Sequence, residues 1–252
     1  MARKLILVTN DDGYRSDGIN ALFDVLSKKV DVYMVAPDRE QSASSHSLTL
    51  NRPLRMHRLD KRRYATDGTP TDCVMLGLHL LFKRRRPDMI ISGINHGGNM
   101  GDDITYSGTV AAAIEGAILK IPSIAVSMVQ WEPTMSMVRA ARFVARFADH
   151  YDALQLEASS FININLPPDN GRPYRKFEFT RQGVRLYKDV VIHKTDPRGR
   201  SYYWIGGRPQ WKSTTQSDFE AVHRGVVSVT PMKIDFTDAI ALQRLRDFKL
   251  RL

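Results

Sequence analysis

Leu5-Ile6-Leu7-Val8-Thr9-Asn10-Asp11-Asp12-Gly13 is the stretch whose reading decides the fold. A short apolar run halted by polar residues and a glycine is the pattern of a strand buried on both faces, as in parallel sheets. Ile19, Leu22, Phe23 and Leu26 follow at helical spacing within residues 19–29. Residues 30–36, Val-Asp-Val-Tyr-Met-Val-Ala, then form a second strand stopped by Pro37 and Asp38. The alternation continues with a helix over 69–82. There Thr69 is placed as N-cap, Pro70 at the first helical position and Asp72 three residues on, as in a capping box. Residues 88–92 read as strand, 107–119 as helix, 123–127 as strand and 135–150 as helix, with Met135, Val138, Ala141 and Phe143 apolar. Strands alternating with helices to residue 150 predict an α/β fold with a mostly parallel sheet in three layers.

After residue 160 the texture changes. Residues 161–166 give one more strand, and 177–187, 201–205 and 225–229 are β-rich, with turns at Asp196-Pro197-Arg198-Gly199 and Gly206-Gly207. The expected division is therefore a catalytic core over residues 1–167, and over 168–252 a β-rich extension and oligomerisation tail packed on it. In that tail Leu242, Leu245 and Phe248 are spaced to meet a neighbour. The aromatics Tyr202, Tyr203 and Trp204 read as a core strand rather than a base-stacking platform, and Cys73 as a small core residue.

The chain has 252 residues, 42% hydrophobic and 25% charged, which excludes wholesale disorder. One cysteine gives neither an intrachain disulfide nor a thiolate cluster and suits a reducing compartment. The apolar run Leu5–Val8 is short for a signal peptide, and no stretch approaches the ~20 apolar residues of a membrane span. A soluble cytoplasmic protein with no membrane partner is expected. The net charge of +10 has basic clusters at 61–63, 83–86 and 244–251, yet residues 87–119 carry acids and no Lys or Arg. A basic, non-catalytic nucleotide- or RNA-binding protein is accordingly the second reading.

Ligands of open α/β sheets bind beyond the carboxyl ends of the strands. Three polar segments begin there: residues 10–13, 38–47 and 93–108. Adjacent carboxylates such as Asp11 and Asp12 repel unless a cation or proton lies between them, and their hard oxygens suit Mg²⁺ or Mn²⁺. Ser42 and Asn95 could add neutral oxygens. The same Asp-Asp-Gly also suits plain turn and helix-cap chemistry. Residues 92–103, Ser-Gly-Ile-Asn-His-Gly-Gly-Asn-Met-Gly-Asp-Asp, let backbone approach a ligand closely, and Ser107-Gly108-Thr109 opens a helix. Such a start is either an ordinary serine cap or a phosphate site. Neither a P-loop, a dinucleotide fingerprint, a zinc-protease motif nor a nucleophile elbow is present. His46 and His96 lie in candidate loops and are kept out of the ligand set.

Taken together, Thr9-Asn10-Asp11-Asp12-Gly13, Ala36-Pro37-Asp38-Arg39 with Ser42, residues 68–74 and the long block 92–116 resemble the SurE survival-protein family of metal-dependent 5′/3′-nucleotidases. The resemblance is dense over 5–127 and continues through 163–167, 196–199 and 225–231. It implies a Rossmann-like core, with tail elements exchanged between subunits of a homodimer or homotetramer. It implies one divalent ion per subunit, Mg²⁺ or Mn²⁺, on Asp11, Asp12, Ser42 and Asn95, and phosphate held at Asn99, Ser107, Gly108 and Thr109. The implied substrates are nucleoside 5′- and 3′-monophosphates, with short polyphosphate a further one. The expected route is cation-assisted attack by water, with Asp11 orienting or deprotonating it. The enzymatic rival is a covalent phosphate on Asp11. Ser44-Ser45 stands in a loop that often reads Gly-Ala-Ser in the family, and Val226 at a common Tyr.

Overall fold

Leu5 and Leu7 of the first strand, β1 (Leu5–Thr9), pack into one hydrophobic cluster, while Ile6 and Val8 pack into another. A strand alternates its side chains between faces, so burial on both means a layer above and a layer below. The structure is a computed structural model and describes residues 3–130, 132, 137–186, 191–206, 210–212, 214–246 and 248.

The chain passes through α1 (Asp17–Leu26) to β2 (Asp31–Pro37), then through the short edge strands β3 (Met56–Arg58) and β4 (Arg63–Thr66). Next come α2 (Pro70–Leu76), β5 (Met89–His96), α3 (Gly108–Ile118), β6 (Ser123–Met128), α4 (Met137–Asp149) and β7 (Ser160–Leu166). The Thr69 hydroxyl accepts from the Asp72 N–H at 3.1 Å and the Asp72 carboxylate from the Thr69 N–H at 2.9 Å, which closes the expected capping box of α2. That helix ends earlier than expected, running on over Gly77–Leu81 as a π-helical turn. Helix α4 matches the 135–150 expectation from Met137 onward; Met135 lies outside the described residues.

Beyond β7 lie β8 (Phe177–Phe179), β9 (Val184–Leu186), β10 (Val191–Thr195), β11 (Ser201–Ile205), β12 (Gln210–Lys212), α5 (Asp218–His223), β13 (Val227–Lys233) and α6 (Ala239–Leu245). The main sheet has nine strands in the order β3-β4-β2-β1-β5-β6-β7-β13-β8. Pairings from β4 through β7 are parallel, and β3 and β13 run antiparallel to β4 and β7. Helices α1 and α4 cover one face, α2 and α3 the other. The α/β three-layer reading is thus the observed architecture. Two strands from the 168–252 span, β8 and β13, extend the central sheet, while β10/β11 and β9/β12 form two-stranded antiparallel ribbons.

The aromatic strand departs from its reading as core. In β11 Tyr203 is 64% and Trp204 63% exposed, because the ribbon β10/β11 has no second layer to bury either face. Helix α6 likewise buries none of its residues, with Ile240, Leu242 and Leu245 exposed.

From β1 the sheet is built first toward β2 and β4, then from β5 outward on the other side. The carboxyl ends of β1 and β5 therefore diverge, which is where open α/β sheets form a ligand crevice.

Candidate active site

Asp11 and Asp12 leave the carboxyl end of β1 directly into this crevice. Asp11 is 3% exposed and is held by the start of α3. Its Oδ2 accepts the Thr109 N–H at 3.0 Å and its Oδ1 the Thr109 hydroxyl at 2.5 Å. Close approach is possible because residue 108 is glycine. A Cβ there would come within 2.9 Å of Asp11 Cβ, 3.1 Å of Asp11 Oδ2 and 2.7 Å of Ser44 Oγ. Asp12 Oδ2 accepts the His96 N–H at 3.2 Å.

Two backbone ties draw the remaining candidates in. The Gln41 N–H donates to the Asp11 carbonyl at 2.7 Å, anchoring the residue before Ser42. The His96 bond to Asp12 anchors the residue after Asn95. Asn95 follows a register slip between β5 and β6 at Ser92/Asn95, the kind of irregularity that re-aims side chains beside active sites. Its Nδ2 donates to the Gly97 carbonyl at 2.8 Å, leaving Oδ1 as its acceptor for a ligand. Ser42 is exposed and donates to Glu40 Oε1 at 2.7 Å.

Burial, opposed by the Thr109 bonds and reinforced by the Asp12 charge, pushes Asp11 up to about 6. Burial and the Glu40 carboxylate push Asp12 up to about 6, against the His96 amide. Neither forms an ion pair with Lys or Arg among the described residues; the nearest basic side chain is His96, its Nδ1 4.0 Å from Asp12 Oδ2. Burial lowers the His96 pKa, so the ring brings little positive charge at neutral pH. Among the described residues no group of three or more His, Cys, Asp and Glu is placed to hold a metal ion. The donor set is two uncompensated carboxylates with neutral oxygens nearby, which fits a hard cation that keeps several waters.

Of the phosphate candidates, Ser107 caps α3, its hydroxyl accepting the Val110 N–H at 3.1 Å. Both polar groups of Thr109 go to Asp11, whereas the Gly108 N–H bonds to no protein atom. Asn99 is buried at the rim. Its Nδ2 donates to Ser127 Oγ at 2.7 Å and its N–H to Asn165 Oδ1 at 2.8 Å.

A family profile described as "Survival protein SurE" matches residues 6–189, well over half of the chain. The chain belongs to the SurE family. Proteins named 5′-nucleotidase SurE are 46% identical in Geotalea uraniireducens, over 97% of this chain and 99% of that protein, and 48% identical in Pelobacter propionicus, over 94% and 96%. The crystal structure of the SurE protein from Aquifex aeolicus superposes with a TM-score of 0.84 at 38% identity, covering 96% of this chain and 98% of that one.

Three SurE-site features had no local signal in the sequence. Ser44 Oγ is buried, makes no hydrogen bond and faces Gly108. His46 Nε2 lies 2.9 Å from Glu115 Oε2, tying the Ser42 loop to α3. Asp218, 1% exposed, accepts the Gly101 N–H at 2.9 Å, so the β-rich half grips the glycine loop that carries Asn99.

Proposed function

We propose that this chain is a phosphoric monoester hydrolase that releases phosphate from nucleoside 5′- and 3′-monophosphates. The carrying observation is the pair of buried, uncompensated carboxylates beside the open amide of an α3 start, in a family whose curated members bear the name 5′-nucleotidase. Asp11, Asp12, Ser42 and Asn95 would hold one Mg²⁺ or Mn²⁺. When bound, that ion supplies Lewis acidity toward a phosphoryl oxygen and toward water.

The chain's own groups do the rest. Thr109 fixes Asp11 with two hydrogen bonds and acts through it. The second lone pair of Asp11 Oδ2 orients the attacking water or takes its proton. The Gly108 N–H and the dipole of α3 receive charge on the equatorial oxygens. Asn99 has a second amide hydrogen left beyond its Ser127 bond, available to the phosphate. The basic residues Arg62, Arg63 and Arg85 pair with Asp31, Asp24 and Asp88, so they are not an open nucleic-acid surface. Phosphate release measured across nucleotides and short polyphosphate, with Mg²⁺, Mn²⁺ or chelator, tests the reading. Turnover undiminished by chelator would overturn it.

The raised carboxyls make a separate prediction about stability. With folded values above the ordinary 3.8, the metal-free fold holds protons that the unfolded chain has released. Their contribution thus favours the fold at low pH and declines as pH rises from about 4 through about 6. A cation at the site replaces those protons. Saturating Mn²⁺ is expected to raise the melting temperature clearly at pH 7.5 and much less at pH 5. Equal shifts at both, or none, would contradict a shared carboxylate site.

We further infer a cytoplasmic homodimer or homotetramer in which the C-terminal elements are exchanged, on the strength of the apolar faces that α6 and β10/β11 leave uncovered. Light scattering should give a multiple of the single-chain mass for the full chain. A chain ending at residue 236 should lose that assembly or form a smaller one.

A further inference from the structure

A cavity of about 930 Å³ opens on the far side of the glycine loop from Asp11. Gly98, Met100 and Asp103 form its near wall, while Val129 and Pro167 bring it over the carboxyl ends of β6 and β7. Adjacent strands are about 4.8 Å apart, so β6 lies two spacings from β1, or about 10 Å. That is of the order of one nucleotide's length. The volume falls in the range of small-ligand sites.

Its lining has a definite chemistry. Trp211 and Phe219 stack with centroids 4.6 Å apart and planes 21° apart, and His223 continues the stack from Phe219 at 6.0 Å and 17°. Arg172, Arg175 and Lys176 supply positive charge, and the one acid among the described lining residues, Asp103, is paired with Arg185. An electron-rich, flat and anion-linked ligand suits such walls. The stack is also mechanically joined to the phosphate end. Trp211 Cζ3 would lie 2.9 Å from a Cβ on Gly101, and Asp218, the residue before Phe219, holds the Gly101 N–H.

We propose that this cavity is the nucleobase subsite, with Trp211 the residue that makes the enzyme prefer nucleotides to other phosphomonoesters. The inference rests on the nucleotidase reading above. Stacking is tolerant of base identity but stronger for larger rings, so purine nucleotides are favoured.

The test compares AMP with ribose 5-phosphate, which has the same sugar and phosphate and no base. Trp211→Ala is expected to raise KM for AMP about ten-fold and to leave kcat/KM for ribose 5-phosphate within about two-fold. Trp211→Phe, which keeps a π face, should retain most of the AMP preference. Parallel loss on both substrates would mean that Trp211 only braces Gly101, and would overturn the assignment. Adenosine provides a measurement that needs no variant: it should inhibit wild-type hydrolysis of ribose 5-phosphate competitively, whereas free ribose should not. Absence of adenosine inhibition would equally overturn the subsite. Failure of the wild-type protein to hydrolyse either substrate would instead strike at the nucleotidase reading itself.

Discussion

Asp11→Asn is expected to lower phosphate release from nucleoside monophosphates by about 10³-fold or more, while the metal-free protein melts at the same temperature or higher. The two effects separate because they use different properties of one carboxylate. Folding needs its shape and its bonds to Thr109, and an amide supplies both. Its oxygen can accept the Thr109 N–H, and its NH₂ can donate to the Thr109 hydroxyl once that hydroxyl turns. Function needs the charge. Asp11 carries it at a cost, since burial and the neighbouring Asp12 both oppose ionisation. Removing a buried charge that has no cationic side chain beside it relieves the fold, so loss of activity with a lowered melting temperature would point to structural damage instead. Steady-state kinetics and a melting curve on the same preparation decide the matter.

Gly18→Ala is expected to destabilise the protein by about 3 kcal/mol despite alanine's better helix propensity. An alanine Cβ on Gly18 would stand 1.9 Å from the Ile94 carbonyl oxygen and 2.9 Å from its carbon. Both are backbone atoms, so no rotamer relieves the overlap, and α1 must move away from β5. Propensity would contribute about 1 kcal/mol in the opposite direction, which is the smaller effect. Because Ile94 immediately precedes Asn95, the displacement also reaches the cation site, and activity should fall with stability. A urea midpoint within about 0.5 kcal/mol of wild type would show that the contact is softer than drawn.

The core and the candidate ligands were legible because each has a local cause. The apolar runs at Leu5–Val8 and Met89–Ile91, the stripe of α1 and the Thr69 box depend only on neighbours within a few residues. Edge strands carry no such signal. β3 and β4 are short and rich in Arg and His, so residues 56–66 looked like solvated surface, which is how sheets commonly blunt an edge. The exposed aromatics of β11 misled for the opposite reason: alternation normally means a buried face, and a ribbon standing off the sheet has none. Contacts between distant segments were silent altogether. Thr109 reaches Asp11 across 98 positions and Asp218 reaches Gly101 across 117, and no residue near either partner announces it. Thr109 had the right neighbourhood in the sequence, at the helix start, but its role toward Asp11 depends on how β1 and α3 dock.

The placement of β13 bears on synthesis. It lies between β7 and β8, pairing with β7 from Ser160 to Asn165. A growing chain therefore completes β7 well before the strand that will hydrogen-bond its outer side has left the ribosome. Until residues 227–233 emerge, the parallel half-sheet presents an apolar, unpaired border to other nascent copies. Premature termination anywhere upstream of β13 leaves that border permanently open, and the resulting fragments would be prone to aggregate rather than to fold into smaller enzymes.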